Sequence, residues 1–161
     1  MDYLWSPWRY RYVSSEVGEN ECLFCRISAE SKDKENYVVL RAEHNFVVLN
    51  RYPYTSGHLM IAPYAHVATL EEAAPETLAE MISLAQRMET VLRRVYRPEG
   101  WNLGLNIGRS AGAGVAGHIH MHVLPRWSGD VNFMSTIAET RVIPEDLETS
   151  YEKLSGALRE Q

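Results

Sequence analysis

Three histidines, His118, His120 and His122, alternate with apolar residues, and this pattern limits the possible fold more than any other in the chain. Because a β-strand points residues i, i+2 and i+4 toward one face, a strand over residues 118–124 would align all three imidazoles. The apolar residues between them would then face the core. Imidazole is suited to proton transfer, nucleophilic attack and metal binding near neutral pH. The segment therefore predicts a strand with a chemically active face.

Three interpretations of the triplet compete. The histidines could simply occupy the polar face of a strand, or they could form a three-histidine metal site. At about 3.3 Å per residue, His118 and His122 lie roughly 13 Å apart along a strand. Zn–N bonds of about 2.0–2.1 Å cannot gather both around one ion unless the strand bends, although two adjacent histidines could share a metal. A division of labour, in which the central histidine reacts and its neighbours orient it or bind charge, fits this geometry best.

Apolar patterns elsewhere predict an α+β fold. Strands are expected at residues 37–41, 45–50, 58–62 and 102–107, and a Gly/Ala-rich loop at residues 108–117. The longest helical pattern spans residues 75–97, where apolar side chains recur at spacings of three and four: Leu78, Ile82, Ala85, Met88, Leu92 and Val95. A short helix is expected at residues 148–159. Hairpins that bracket one long helix favour an antiparallel sheet.

Composition excludes several classes of protein. The chain has 161 residues, the length of one ordinary domain, and a net charge of −5. That charge argues against broad binding to nucleic acid, which requires many phosphate-neutralising cations. No apolar run approaches the roughly 18–20 residues that span a bilayer, so no membrane association is expected. Residues 1–8 lack the basic and apolar regions of a signal peptide, which predicts a cytoplasmic location.

Cys22 and Cys25 have the spacing of half a zinc site. Two more ligands would have to come from elsewhere in the chain. A redox-active dithiol and two buried thiols are alternatives that the spacing leaves open. In a cytoplasmic chain, metal or redox chemistry is favoured over a structural disulfide.

The segment from His118 to Leu124 resembles the signature of the histidine triad (HIT) superfamily, in which three histidines alternate with apolar residues. The resemblance extends over most of the chain. It includes the sequences FVVLNRYP (46–53), GHLMIAP (57–63), VLPRW (123–127) and LWSPWR (4–9), together with Asn106 and the following Gly-rich loop. The pattern is most similar to bacterial members of the dinucleoside polyphosphate hydrolase and diadenosine tetraphosphate phosphorylase branch. The resemblance implies a HIT-like antiparallel sheet of about five strands with one long amphipathic helix, paired in a homodimer.

The resemblance implies a catalytic group of three histidines. His120 matches the histidine that attacks an α-phosphorus and forms a nucleotidyl-histidine intermediate, which water or phosphate then releases. His122 matches a histidine that contacts the phosphate as its charge shifts. His58 matches a further histidine near the site, although a hydrogen-bonded core role is an equal alternative. A neutral imidazole is nucleophilic at pH 7, so this chemistry is physically sound.

The resemblance also implies a nucleotide site. Asn50 matches a ribose-binding residue, and Asn106 matches a residue near the phosphate. Gly112 and Gly114 could bring backbone N–H groups to a phosphate, while Arg126 and Trp127 are candidates for a phosphate contact and for the second nucleoside pocket. Related enzymes often place Gln, Ser or Thr just before the triad, but residues 113–117 are AGVAG here. Either backbone amides act alone or Ser110 or Arg109 substitutes, which leaves hydrolysis and phosphorolysis open.

Zinc-bearing relatives supply the missing metal ligands. The matching positions are His66 and His118, which with Cys22 and Cys25 would make a Cys2His2 site. Four protein ligands leave no open position for water, so the expected zinc is structural. No organic cofactor is expected.

The resulting prediction is an N-terminal aromatic and basic arm at residues 1–20, a HIT domain at residues 21–127 and a C-terminal extension at residues 128–161. The predicted activity is cleavage of an adenosine dinucleoside polyphosphate, such as diadenosine tetraphosphate, at the α-phosphate, by hydrolysis or phosphorolysis. An AMP phosphoramidate or ester hydrolase is one alternative. A zinc-stabilised nucleotide-binding module with little turnover is the other.

Overall fold

The computed structural model describes residues 21–130 and 143–160, so the predicted arm at residues 1–20 lies outside the described part. The helices there are α1 (Leu23–Ala29), α2 (Asp33–Asn36), α3 (Pro75–Tyr96) and α4 (Leu147–Arg159), with a 3-10 turn at Arg109–Ala111. The strands are β1 (Val38–Arg41), β2 (Asn45–Leu49), β3 (Leu59–Pro63), β4 (Gly100–Leu105) and β5 (Met121–Arg126). The predicted α+β fold, with five strands and one long helix, is confirmed.

The five strands form one antiparallel sheet in the order β1-β2-β3-β5-β4. β5 lies between β3 and the edge strand β4, although it follows β4 in the chain. His122 is opposite Met60 of β3 on one side and Gly104 of β4 on the other. Directly opposed residues of antiparallel strands share a face. His122 is therefore flanked by a strand on each side rather than exposed at an edge of the sheet.

α3 covers one face of the sheet and builds the larger core. It begins at Pro75, which has no N–H and suits the first turn because N–H groups there have no partner within the helix. It ends before Arg97, whose φ is 50°. The buried side chains of α3 include Met81, Leu84 and Val91. The predicted inward position of Ile82 is wrong, because its side chain is 61% exposed. Ile82 follows Met81 by one residue, which places it about 100° around the helix from the buried stripe.

On the opposite face of the sheet, β1, β2 and β3 are covered by α1, a helix that the sequence pattern did not predict. Its side chains Phe24 and Ile27 pack on Phe46, Val48 and Met60 in a second buried cluster. By strand alternation, this is also the face that carries His122. His118 and His120 are also buried, and both rings pack against Phe24 of α1 instead of lining a polar surface.

The predicted strand over residues 118–124 is shifted: β5 begins only at Met121, so His118 and His120 precede it. The pairing of β5 with both neighbours ends at Met121, which is opposite Ile61 of β3 and Leu105 of β4. The N–H of Ile119 bonds the carbonyl of Val67 instead, at 2.8 Å.

α4 places the end of the chain in the main core. Its residues Leu154 and Ala157 are buried in the cluster formed beneath α3. The Asp146 carboxylate caps α4 by accepting from the Thr149 N–H at 2.7 Å. No helix within residues 21–130 and 143–160 combines the length and apolar character needed to cross a membrane.

Candidate active site and metal centre

His120 is held in one protonation form by the backbone. Its Nδ1 lies 2.9 Å from the carbonyl oxygen of His118, and a carbonyl can only accept a hydrogen bond. Nδ1 therefore carries the proton and donates it to that oxygen. In the neutral ring this leaves the lone pair on Nε2. The geometry presents Nε2 of His120 as a nucleophile without a separate base.

His58 and His122 form a second hydrogen-bonded unit. The backbone N–H of Tyr54 donates to Nδ1 of His58 at 3.2 Å, so the His58 proton is on Nε2. That Nε2–H donates to Nδ1 of His122 at 2.9 Å. Nδ1 of His122 is thus an acceptor, and the neutral His122 ring carries its proton on Nε2. The ring centroids of His120 and His122 are 5.0 Å apart, so the two rings are neighbours.

Burial keeps these rings neutral. It lowers the pKa of His120, although the hydrogen bond to the His118 carbonyl opposes the shift. Burial, with a smaller repulsion from His120, lowers the pKa of His122 to about 4. Both rings are therefore uncharged at neutral pH, as a nucleophile and a proton donor with the tautomers above must be.

The predicted metal ligands come together. One potential ligand atom from each of Cys22, Cys25, His66 and His118 lies within 4.8 Å of the others. Nδ1 of His118 is 3.3 Å from the Cys22 sulfur, and Nδ1 of His66 is 3.2 Å from the Cys25 sulfur. In a zinc tetrahedron with bonds of about 2.1 Å to nitrogen and 2.3 Å to sulfur, these separations are about 3.6 Å. The cluster has the dimensions of a tetrahedral metal site.

The surroundings of the cluster suit a divalent metal. Nε2 of His118 donates to the Pro63 carbonyl at 2.8 Å, which leaves the Nδ1 lone pair directed at the cysteines. Burial and the adjacent Cys22 raise the pKa of the Cys25 thiol, so a nearby cation would be needed to stabilise two thiolates. Both cysteines are free of disulfides. The metal would bind both histidines through Nδ1.

Phe24 connects the metal cluster to His120. It is 1% exposed and lies on α1 between the two cysteines in sequence. Its ring centroid is 5.3 Å from that of His118 and 4.8 Å from that of His120. The sequence analysis missed this residue, because a single aromatic between two cysteines carries no periodic pattern. Fixing α1 therefore also fixes a wall of the His120 site.

Asn50 lies at the end of β2, beside the histidines. It is buried; its Oδ1 accepts from the Tyr52 N–H at 2.9 Å, and its Nδ2 is 3.4 Å from Nδ1 of His58. Asn106 lies one residue beyond β4, half-buried. Asn50 is therefore adjacent to the proposed catalytic unit, with further hydrogen-bonding capacity in its amide group.

The remaining candidates lie in the Gly/Ala-rich loop and at the end of β5. Gly112 and Gly114 are exposed in the predicted loop, and Gly112 has φ 87°, a conformation suited to glycine. The Arg126 guanidinium already bonds both oxygens of Asp130 and Oδ1 of Asn102. The Trp127 ring packs edge-on against Tyr96. A phosphate would thus have to compete with Asp130 for Arg126.

Comparison with known proteins identifies the family. Residues 31–129 match the HIT domain model, so the chain belongs to the HIT domain family. It is 39% identical to the AP-4-A phosphorylase of Mycobacterium tuberculosis, over 88% of this chain and 76% of that protein. These matches confirm the predicted superfamily and the prediction of a HIT-family enzyme.

Two further similarities bear on chemistry. A zinc-bound histidine triad family protein from Mycobacterium smegmatis superposes with a TM-score of 0.71 at 32% identity, covering 89% of this chain and 96% of that one. The adenylylsulfatase HINT3 of Arabidopsis thaliana is 30% identical over 86% of this chain and 68% of that protein.

Proposed function

We propose that this enzyme transfers the adenylyl group of a dinucleoside polyphosphate such as diadenosine tetraphosphate, with inorganic phosphate as the favoured acceptor. The observation that carries the proposal is the His120 tautomer, in which Nδ1 keeps its proton and donates it to the His118 carbonyl, so that the lone pair of Nε2 is free to attack. The similarity to an AP-4-A phosphorylase supports this substrate and acceptor.

The proposed reaction has two displacements. Nε2 of His120 attacks the α-phosphorus and forms a P–N bond, while the bond from that phosphorus to the bridging oxygen breaks. The polyphosphate nucleotide leaves with the electron pair of the broken bond. Phosphate or water then attacks the same phosphorus and releases His120, which yields ADP or AMP respectively. A covalent intermediate divides one difficult displacement into two easier ones.

The neighbouring histidine assists both steps. The Nε2–H of His122 can donate to an oxygen that gains negative charge during each displacement, which stabilises the transition state more than the bound substrate. His58 acts through His122 by holding its proton on the correct nitrogen. In this proposal His58 is a positioning residue.

The nucleotide would lie beside α1, on the same face of the sheet as that helix. Asn50 would bind the ribose hydroxyls, since an amide both donates and accepts, and Asn106 would contact the phosphates. The N–H groups around Gly112 and Gly114 would contribute donors to the same phosphates.

Arg126 and Trp127 would contact the second nucleotide. The ion pair between Arg126 and Asp130 would have to open to admit it.

We propose zinc as the ion of Cys22, Cys25, His66 and His118. With four protein ligands the ion would supply structural cross-linking, tying α1 to the segment before β5. The free thiols suit the reducing cytoplasm. The edge strand β4 and its exposed Leu103 support a homodimer built through that edge.

The reaction is tested by incubating the protein with diadenosine tetraphosphate, with and without phosphate, and separating the products by chromatography. ADP plus ATP formed only with phosphate supports the proposal, whereas AMP plus ATP indicates a hydrolase. Turnover of adenosine phosphosulfate but not of the dinucleotide would favour the AMP-ester alternative. Binding without turnover would favour the binding module. His120→Ala should reduce the rate by at least about 1000-fold, and wild-type rates in that variant would refute the mechanism.

A further inference from the structure

Gly104 stands directly beside His122 in the sheet. The two residues are opposed in the antiparallel pair β4–β5, so they share a face, with their Cβ positions about 5 Å apart. Apart from Gly104 itself and its two chain neighbours, no heavy atom of residues 21–130 and 143–160 lies within 4 Å of a Cβ placed at position 104. Within this part of the chain, the face next to His122 is therefore open on the β4 side.

Neither backbone conformation nor packing explains a glycine here. The φ angle of Gly104 is not positive, so a residue with a side chain could adopt the same backbone conformation. Glycine also weakens a strand. A Cβ at this position would clash with none of the described residues. An isolated glycine inside a strand often marks a position that a ligand or another backbone approaches closely. The remaining role for this glycine is to keep the space empty.

The order of strands indicates which part of a substrate would use the space. Asn50 follows β2, His58 precedes β3, His122 lies on β5 and Gly104 lies on β4. Asn50 and His58 are linked by the contact between Nδ2 and Nδ1, and His58 bonds His122. A nucleotide whose ribose is bound at Asn50 and whose α-phosphorus is at the histidines would extend its remaining phosphates toward β4.

We infer that Gly104 is a specificity-determining residue that admits the leaving group, the polyphosphate with its second nucleoside, beside His122. The inference rests on the proposed function, because it uses the ribose role of Asn50 and the attack by His120. The adenylyl half would occupy the β2 side of the site and would not touch Gly104. A side chain at position 104 should therefore exclude large leaving groups while AMP still binds.

The chain supplies a matched control in Gly100. It lies on the same strand and the same face, opposite Arg126, and a Cβ there also meets no other described residue within 4 Å. It is four residues from Gly104, or roughly 13 Å. Gly100→Val and Gly104→Val should therefore affect strand propensity alike but differ in their distance from His122.

The experiment measures kcat and KM for diadenosine tetraphosphate, and the dissociation constant of AMP by calorimetry, in wild type, Gly104→Ala, Gly104→Val and Gly100→Val. We expect Gly104→Val to lower kcat/KM at least tenfold, mainly through KM, and Gly104→Ala to fall between it and wild type. AMP affinity should stay within about twofold in all four proteins. Gly100→Val should leave AMP affinity at the wild-type value and lower kcat/KM less than Gly104→Val does, because the residue opposite it is Arg126 rather than His122.

Several results would overturn the inference. These are unchanged kcat/KM in Gly104→Val, a parallel loss of AMP affinity, or an altered oligomeric state by size-exclusion chromatography, which would assign the space to a second copy of the chain. If wild type binds the dinucleotide without cleaving it, the proposed function fails on its own. Calorimetry with diadenosine tetraphosphate then replaces the kinetic comparison, with the same tenfold expectation. A wild type that binds neither ligand refutes both.

Discussion

The His58 ring donates a hydrogen bond from Nε2 to Nδ1 of His122 over 2.9 Å, and the direction of this bond is set by a backbone group. The Tyr54 N–H cannot accept, so it requires an unprotonated Nδ1 on His58. One immobile donor therefore determines the tautomers of two rings in series. The proton of His122 is directed into the site as a consequence.

His58→Phe should reduce kcat by about tenfold or more and leave KM nearly unchanged, because the proton of His122 could then move to Nδ1. The Tyr54 N–H would also lose its acceptor, at a cost of about 1–3 kcal/mol in unfolding free energy. His58→Gln, whose amide can both donate and accept, should recover part of kcat. Steady-state kinetics check both variants. An increase of KM alone would contradict the positioning role.

Metal content tests the cluster directly. Protein purified without chelators should contain close to one zinc per chain, and Cys25→Ser or His66→Ala should lose most of it together with several kcal/mol of stability. His44→Ala is the matched control, because His44 lies outside the cluster and its replacement should leave zinc unchanged. Elemental analysis and thermal melts provide the measurements. Wild-type protein without zinc, or zinc retained in both ligand variants, would exclude the proposed site.

The long-range features of the site were predictable because they follow from motifs. Alternating histidines required an extended segment, and the family resemblance supplied His66 and His118 as partners for the two cysteines. The structure places all four together. The first four strands were correct within two residues, since alternating and β-branched patterns are strong local indicators, whereas β5 begins three residues later than predicted.

What the sequence did not predict depends on contacts between distant elements. α1 has only seven residues, too few for a periodic pattern, and it is held by packing on the sheet. His118 and His120 lie outside β5 because its pairing with β3 and β4 ends at Met121 and the Ile119 N–H bonds the Val67 carbonyl instead, which only the three-dimensional structure reveals. Ile82 is exposed because the buried side of α3 is the one that carries Met81, Leu84 and Met88. The packing of the whole helix on the sheet determines which side is buried.

The hydrogen bonds of the Glu80 carboxylate predict how the stability of the fold depends on acid pH. Glu80 on α3 accepts from the backbone N–H groups of Glu43 and His44, each at 2.9 Å, and from Nδ2 of Asn45 at 2.8 Å. Burial alone would raise the pKa of Glu80, but these hydrogen bonds outweigh it and lower the pKa below its usual value. A carboxyl with a depressed pKa stabilises the folded state above its unfolded pKa. That contribution is lost as the pH falls through the folded value.

Glu80→Gln should therefore destabilise the protein by about 1–3 kcal/mol at pH 7, since an amide cannot accept at both positions. The difference from wild type should shrink as the pH falls below about 4.5. Urea unfolding at pH 7 and at acid pH measures both effects. Glu71→Gln, at an exposed position, should change stability by less than about 0.5 kcal/mol. A gap between Glu80→Gln and wild type that is independent of pH would contradict this account.

Phe24 provides a test of how the proposed zinc site is connected to His120, the proposed nucleophile. Its ring packs on His120 and is carried by the helix that begins beside Cys22, so a smaller side chain should loosen the His120 ring without removing a metal ligand. Phe24→Leu should lower kcat several-fold with little change in KM or zinc content, and should cost about 1–1.5 kcal/mol of stability. Ile27→Val changes a buried residue of the same helix that belongs to the same apolar cluster, and it should cost a similar amount of stability while kcat stays at the wild-type value. Equal kcat losses in the two variants would show that α1 acts only through global stability, and lost zinc in Phe24→Leu would place the effect at the metal instead.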